Sequence, residues 1–150
     1  MLESDAARFP VTVMDFHDAV GIDGDAFWYL AWPTFRFDEP FGASLRLLVN
    51  RKKPEIVAAV ETDSDSASSE ATRRHIYADT ARTLIGFGLG SEEFLEDHSD
   101  YPEGSVGHAV NELIIMCWGS DYSPKKVKAM RDEKPHLFES YLQSRLMGSF

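Results

Sequence analysis

A chain of 150 residues with 25 acids against 15 bases carries a formal charge of −10. That balance repels nucleic-acid phosphates and anionic membranes and favours basic partners. One cysteine excludes an internal disulfide, the longest apolar run is far too short to span a bilayer, and MLESDAARF has acids where a secretory signal needs bases. A cytoplasmic chain forming one domain over 1–150 is the expectation.

In chain order, Pro10–Phe16 alternates around Val11 and Val13 and predicts a short strand. Asp15–Asp25, rich in Asp and Gly, predicts a loop with one helical turn. The aromatic run Phe27–Phe37 predicts a second strand, made an edge, bulged or broken by Pro33. Asp38–Ala43 predicts a turn. Ser44–Val49 and Glu55–Thr62 flank the polar turn Asn50–Pro54 and predict a β-hairpin. Asp63–Ser69 is a low-complexity connector.

Helical spacing follows. Ile76, Tyr77, Thr80, Ala81, Leu84 and Ile85 form an apolar stripe ended by Gly86, Gly88 and Gly90. Ser91 caps a short acidic helix, Glu92–His98. Ser105–Gly119 is the most apolar segment, with a serine start signal and a glycine stop signal. Val106, Ala109, Val110, Leu113, Ile114 and Cys117 form one face of that core helix. Ser123–Pro124 opens a last helical pattern, broken at Pro135. Strands before residue 63 and helices after 70 predict an α+β fold, a mainly antiparallel N-terminal sheet packed against C-terminal helices.

Two stretches are candidate partner surfaces. Glu92, Glu93, Glu96, Asp97, Asp100 and Glu103 run without an intervening Lys or Arg. Like charges at i,i+4 (Glu92/Glu96, Glu93/Asp97) work against a helix, so such a stripe either is a solvated face or docks a basic partner. The run Phe27, Trp28, Tyr29, Trp32, Phe35, Phe37 and Phe41 places Trp28 and Trp32 on one face and Phe27 and Tyr29 on the other; one face is expected in the core, and the other either exposes aromatic anchors for a partner or is covered by helices in its turn.

Catalytic signals are weaker. Asp15, His17 and Asp18 cluster, and His108 and Glu112 share a helix face at i,i+4, but a zinc-protease helix needs two histidines there. Asp63 and Asp65 start like a calcium loop whose later Gly and Glu are misplaced. Gly86, Gly88 and Gly90 follow a helix and precede acids, unlike a phosphate cradle. Cys117 reads as an inert core thiol. Arg73, Arg74, His75, Asp79 and Arg82 read as a polar helix face with internal ion pairs. Arg51, Lys52 and Lys53, with Lys125, Lys126 and Lys128, lack the interleaved aromatics of a nucleic-acid surface.

No residue pattern identifies a family, and no cofactor or metal is expected. The leading expectation is a protein-binding module docking a basic partner, as an inhibitor, immunity-type or chaperone-type protein would, with no nucleic-acid or membrane role. A small metal-dependent or acid–base enzyme is the alternative class, and a homo-oligomer subunit the third.

Overall fold

The computed structural model describes residues 9–61 and 66–150. Its strands are β1 (Val11–Met14), β2 (Trp28–Ala31) and β3 (Arg46–Asn50). Its helices are α1 (Phe41–Ser44), α2 (Pro54–Glu61), α3 (Ala67–Leu89), α4 (Glu92–Asp97), α5 (Val106–Trp118), α6 (Pro124–Glu133) and α7 (Pro135–Met147). A 3-10 turn, Phe16–Asp18, interrupts the loop after β1. The architecture is α+β, with all strands in the N-terminal half and the longer helices after it. The N-terminal octapeptide and the acidic start of the connector, Asp63 and Asp65 included, lie outside the described residues.

The sheet order is β1-β3-β2, with β3 parallel to β1 and antiparallel to β2. The register aligns Val11, Leu47 and Leu30, and then Val13, Val49 and Trp28, on one face. Leu47 and Val49 are fully buried there. On the opposite face Thr12, Leu48 and Tyr29 share a row that solvent reaches. β2 is an edge strand that stops before Pro33, as a residue without an N–H donor requires.

The expected hairpin does not form. β3 ends at Asn50 and the chain enters α2 at Pro54 instead. Proline suits a first helical turn, and Ile56, Val57, Ala59 and Val60 sit at helical spacing, with Ile56 and Ala59 buried. β3 takes its parallel partner from β1, so the ladder is mixed. The turn expected at Asp38–Ala43 runs into the short helix α1.

Asn50 closes that end of the sheet. It is fully buried, and its Oδ1 accepts from the N–H groups of Lys52 (3.1 Å) and Phe16 (3.4 Å). Its Nδ2 donates to the carbonyls of Gly24 (2.9 Å) and Ala26 (2.8 Å). One side chain thus ties the end of β3 to the loop between β1 and β2.

Of the three glycines expected to end this helix, Gly90 does so as its C-cap, whereas α3 runs on through Gly86 and Gly88. Gly88 is there for close approach. A Cβ at this position would lie 2.9 Å from Val110 Cγ1 and 3.3 Å from the Phe94 ring, so glycine lets α3 cross α4 and α5. Ser66 caps α3 by accepting from Ser69 N–H.

α5 forms as its sequence dictates, capped by Ser105 and terminated by Gly119 at φ +88°. Leu113 and Ile114 are fully buried and Cys117 is 3% exposed. The principal neighbours of α5 are α3, α7, α6 and α1 rather than the sheet strands. Ser123 and Pro124 open α6, and Lys134 joins it to α7 at the Pro135 break. No helix of the described residues is long and apolar enough to cross a membrane.

Burial pushes the Cys117 thiol up to about 12, against an ordinary value of 9.0, with Arg145 pulling weakly the other way. A raised acid favours the fold while neutral, so this contribution is full below pH about 9 and is lost as pH rises towards 12. Native protein at pH 8 will leave Cys117 unreactive towards a thiol reagent, and unfolding will release a single reacting thiol. Above pH 9 the melting temperature will fall more steeply than in Cys117→Ala.

A candidate acidic and aromatic docking face

The loop after β2 is clipped to the start of α5. Gly107 N–H donates to the Phe37 carbonyl (2.7 Å) and Val106 N–H to the Glu39 carbonyl (2.9 Å). Ser105 Oγ accepts from His108 N–H, so the first α5 amides find partners in this junction. On the other side Phe41 N–H donates to the Gly104 carbonyl (2.8 Å). Thr34 and Ser44 both donate to Glu39 Oε2 at 3.0 Å, bracing the loop from its two ends.

This clip brings the two stretches that looked separate in sequence into contact. The Phe37 ring lies 5.2 Å from Phe94 of α4 and 5.9 Å from Tyr101, and Phe94 stacks on Tyr101 at 6.1 Å. Gly107 makes this possible, because a Cβ there would enter the Tyr101 ring. Tyr101 Oη donates to Glu93 Oε2 (2.8 Å). Burial, that acceptor and the nearby charges of Asp97 and Asp38 hold its hydroxyl above the ordinary phenol range. Tyr101 therefore stays a neutral donor among carboxylates from both segments.

Arg36 is the one base that this loop contributes. Its guanidinium grips Asp38 through two bonds (2.9 and 3.2 Å), which holds the Asp38 carboxyl below its usual range. Glu39 lies 3.8 Å away. Asp38, Glu39, Glu93 and Asp97 thus outnumber Arg36 four to one across the face.

The aromatic end of the face is Trp32, Phe35, Phe37 and Phe87. Phe35 stacks on Trp32 at 4.4 Å, and its edge meets Phe87 at 5.0 Å. Phe35 is half exposed and sits at φ +54°, the only non-glycine positive φ among the described residues. A side chain at such a φ costs about 1–2 kcal/mol, sustained here by the stacking beneath it. Phe35→Gly will therefore be more stable than Phe35→Ala by about 1 kcal/mol, reversing the usual order; chemical denaturation of both variants checks this.

The tryptophans expected as surface anchors are placed otherwise. Trp32 is 7% exposed, and Trp28 is half-buried on the inner sheet face, its Nε1 donating to Asp79 of α3 (2.9 Å). Trp28 shares its row with buried Val49, which explains the orientation. Within the aromatic run the exposed rings are Phe27, Tyr29 and Phe35, and Lys53 Nζ covers the Phe27 ring at 4.4 Å. Within the acidic helix, Glu96 is bonded to Lys125 of α6 (2.8 Å), which holds its carboxyl below the usual range. Glu92, Glu93 and Asp100 are exposed, although Glu93 is committed to Tyr101.

The acid–base candidates do not assemble. Asp15 accepts from His17 N–H (3.0 Å), the main reason its carboxyl lies below the ordinary value, and Lys52 Nζ is 3.6 Å away. His17 instead approaches Asp25 (3.8 Å). His108 Nε2 lies 3.5 Å from Glu112 Oε1 at the half-exposed edge of α5. Among the described residues no three His, Cys, Asp or Glu side chains are grouped to hold a metal ion. The polar face of α3 reaches other elements: Arg82 meets Glu139 of α7 (3.3 Å), Arg73 the Ala59 carbonyl (2.8 Å) and Arg74 the Phe150 carbonyl (3.1 Å). His75, Asp79, Arg82 and Glu139 line a cleft of about 290 Å³ between α3 and α7.

No family model matches this chain, and no curated protein and no solved structure matches it either, so the face is read from its own residues.

Proposed function

We propose that this chain is a protein-binding module that docks a basic segment of a partner on the face where the loop after β2 meets α4. The observation that supports the reading is the junction at Tyr101, which gathers Asp38, Glu93 and Asp97 around one ring, while Phe37 links that ring (5.9 Å) to the half-exposed Phe35 (6.5 Å). Charge around Tyr101 steers a basic partner, and the adjoining aromatic cluster of Trp32, Phe37 and Phe87 supplies apolar contact area. Inhibitor, immunity-type and chaperone-type proteins are the functional classes this reading fits.

The test removes that charge. A labelled peptide of alternating lysine and alanine will bind the protein at ~10 mM salt, and its affinity will fall by ~150 mM as the Debye length contracts from about 30 to about 8 Å. The triple variant Asp38→Asn, Glu93→Gln and Asp97→Asn will lose most of that binding, chiefly in association rate. A control that removes equal charge elsewhere (Glu55→Gln, Glu61→Gln, Glu70→Gln) will keep it. Equal binding by both triple variants would show that the charge of the whole chain, and not this face, does the work.

A further inference from the structure

Phe35 combines three features that a permanent core aromatic does not need. It is half exposed, its backbone is in the left-handed region, and it is the ring that covers Trp32. The indole it covers carries a buried Nε1 with no hydrogen-bond partner among the described residues. A buried donor left unmatched is costly, and so is the Phe35 backbone, whose strain is released when the ring leaves the site. Trp118 Nε1 is also unmatched, but that ring is packed between helices on Phe138 (5.3 Å) without a strained neighbour.

We infer that Phe35 is a displaceable lid, and that the site it covers receives an aromatic side chain from the docked basic segment. This rests on the docking function proposed above. When Phe35 swings away, Trp32 offers a face for a new ring to stack on, with Phe37 and Phe87 on its flanks at 5.0 and 6.1 Å. The occupant is set by charge and shape together: the acidic rim of Asp38, Glu93 and Asp97 selects bases around the anchor, and the aromatic site selects the anchor. The fitting ligand is a peptide with phenylalanine flanked by lysine and arginine. Because the closed lid reduces the binding-competent population, removing its ring must raise apparent affinity.

The experiment uses the full chain and two capped pentapeptides, Lys-Arg-Phe-Arg-Lys and the same peptide with alanine at its centre. Affinity is measured by calorimetry, and the Trp32 indole N–H resonance, assigned with Trp32→Phe, is followed by NMR. The phenylalanine peptide will bind more tightly than the alanine peptide and will move the Trp32 indole resonance, which the alanine peptide leaves in place. Phe35→Gly will bind the phenylalanine peptide roughly three- to tenfold more tightly and leave the alanine peptide unchanged. Equal affinities for both peptides, unaltered in Phe35→Gly, would overturn the lid while salt-dependent binding of both kept the docking reading. No binding of either peptide to either protein would overturn both.

Discussion

Asn50→Ala will lower the stability of the protein by about 3–5 kcal/mol, measured by urea unfolding. The side chain is fully buried and makes four hydrogen bonds, two as acceptor and two as donor. Only one orientation of the amide satisfies all four, because carbonyls face the nitrogen and N–H groups face the oxygen. Alanine takes this partner away from the Gly24 and Ala26 carbonyls and from the Phe16 and Lys52 N–H groups at once. Orphaning a buried polar group costs about 1–3 kcal/mol, so several together reach the upper range of single-site effects. Asn50→Asp will not rescue: it keeps the acceptor but sets oxygen against two carbonyls. A loss below about 1 kcal/mol in the alanine variant would mean that this end of the sheet is held by other contacts.

Leu113→Ala will cost on the order of 2–5 kcal/mol. Leu113 is fully buried in α5, whose principal neighbours are α3 and α7, long helices that cannot both collapse inward to fill a void. The slope of unfolding against denaturant will stay at the native value, because the change removes packing without altering how much surface unfolding exposes. Calorimetry on the same variant will show a lowered melting temperature with one cooperative transition. A shift close to zero would contradict the placement of α5 at the centre of the core.

Elements that announce themselves locally were legible in the sequence. Ser105 and Gly119 delimit α5, Ser91 caps α4, Ser123 with Pro124 opens α6 and Pro135 opens α7, each through a backbone requirement confined to a few residues. Glu55–Thr62 was misread because a short apolar run fits both periods. Its choice of helix depends on Pro54 and on β1 filling the place beside β3. The acidic and aromatic stretches were both visible, but their contact was not. It depends on the Phe37–Phe94–Tyr101 cluster and on the clip from Phe37 and Glu39 to α5, pairings across about sixty residues that no local pattern encodes. Trp32 and Phe35 changed roles for the same reason. Alternation predicts faces within a strand, whereas β2 ends at Ala31 and the chain beyond follows loop geometry.

The most direct measurement for the docking face is an NMR titration of labelled protein with the lysine- and arginine-flanked phenylalanine peptide. Amide shifts will concentrate at Thr34–Asp38 and Glu93–Tyr101, with β1 and α7 unmoved. Shifts concentrated instead on His75, Asp79, Arg82 and Glu139, at the cleft between α3 and α7, would contradict the docking face.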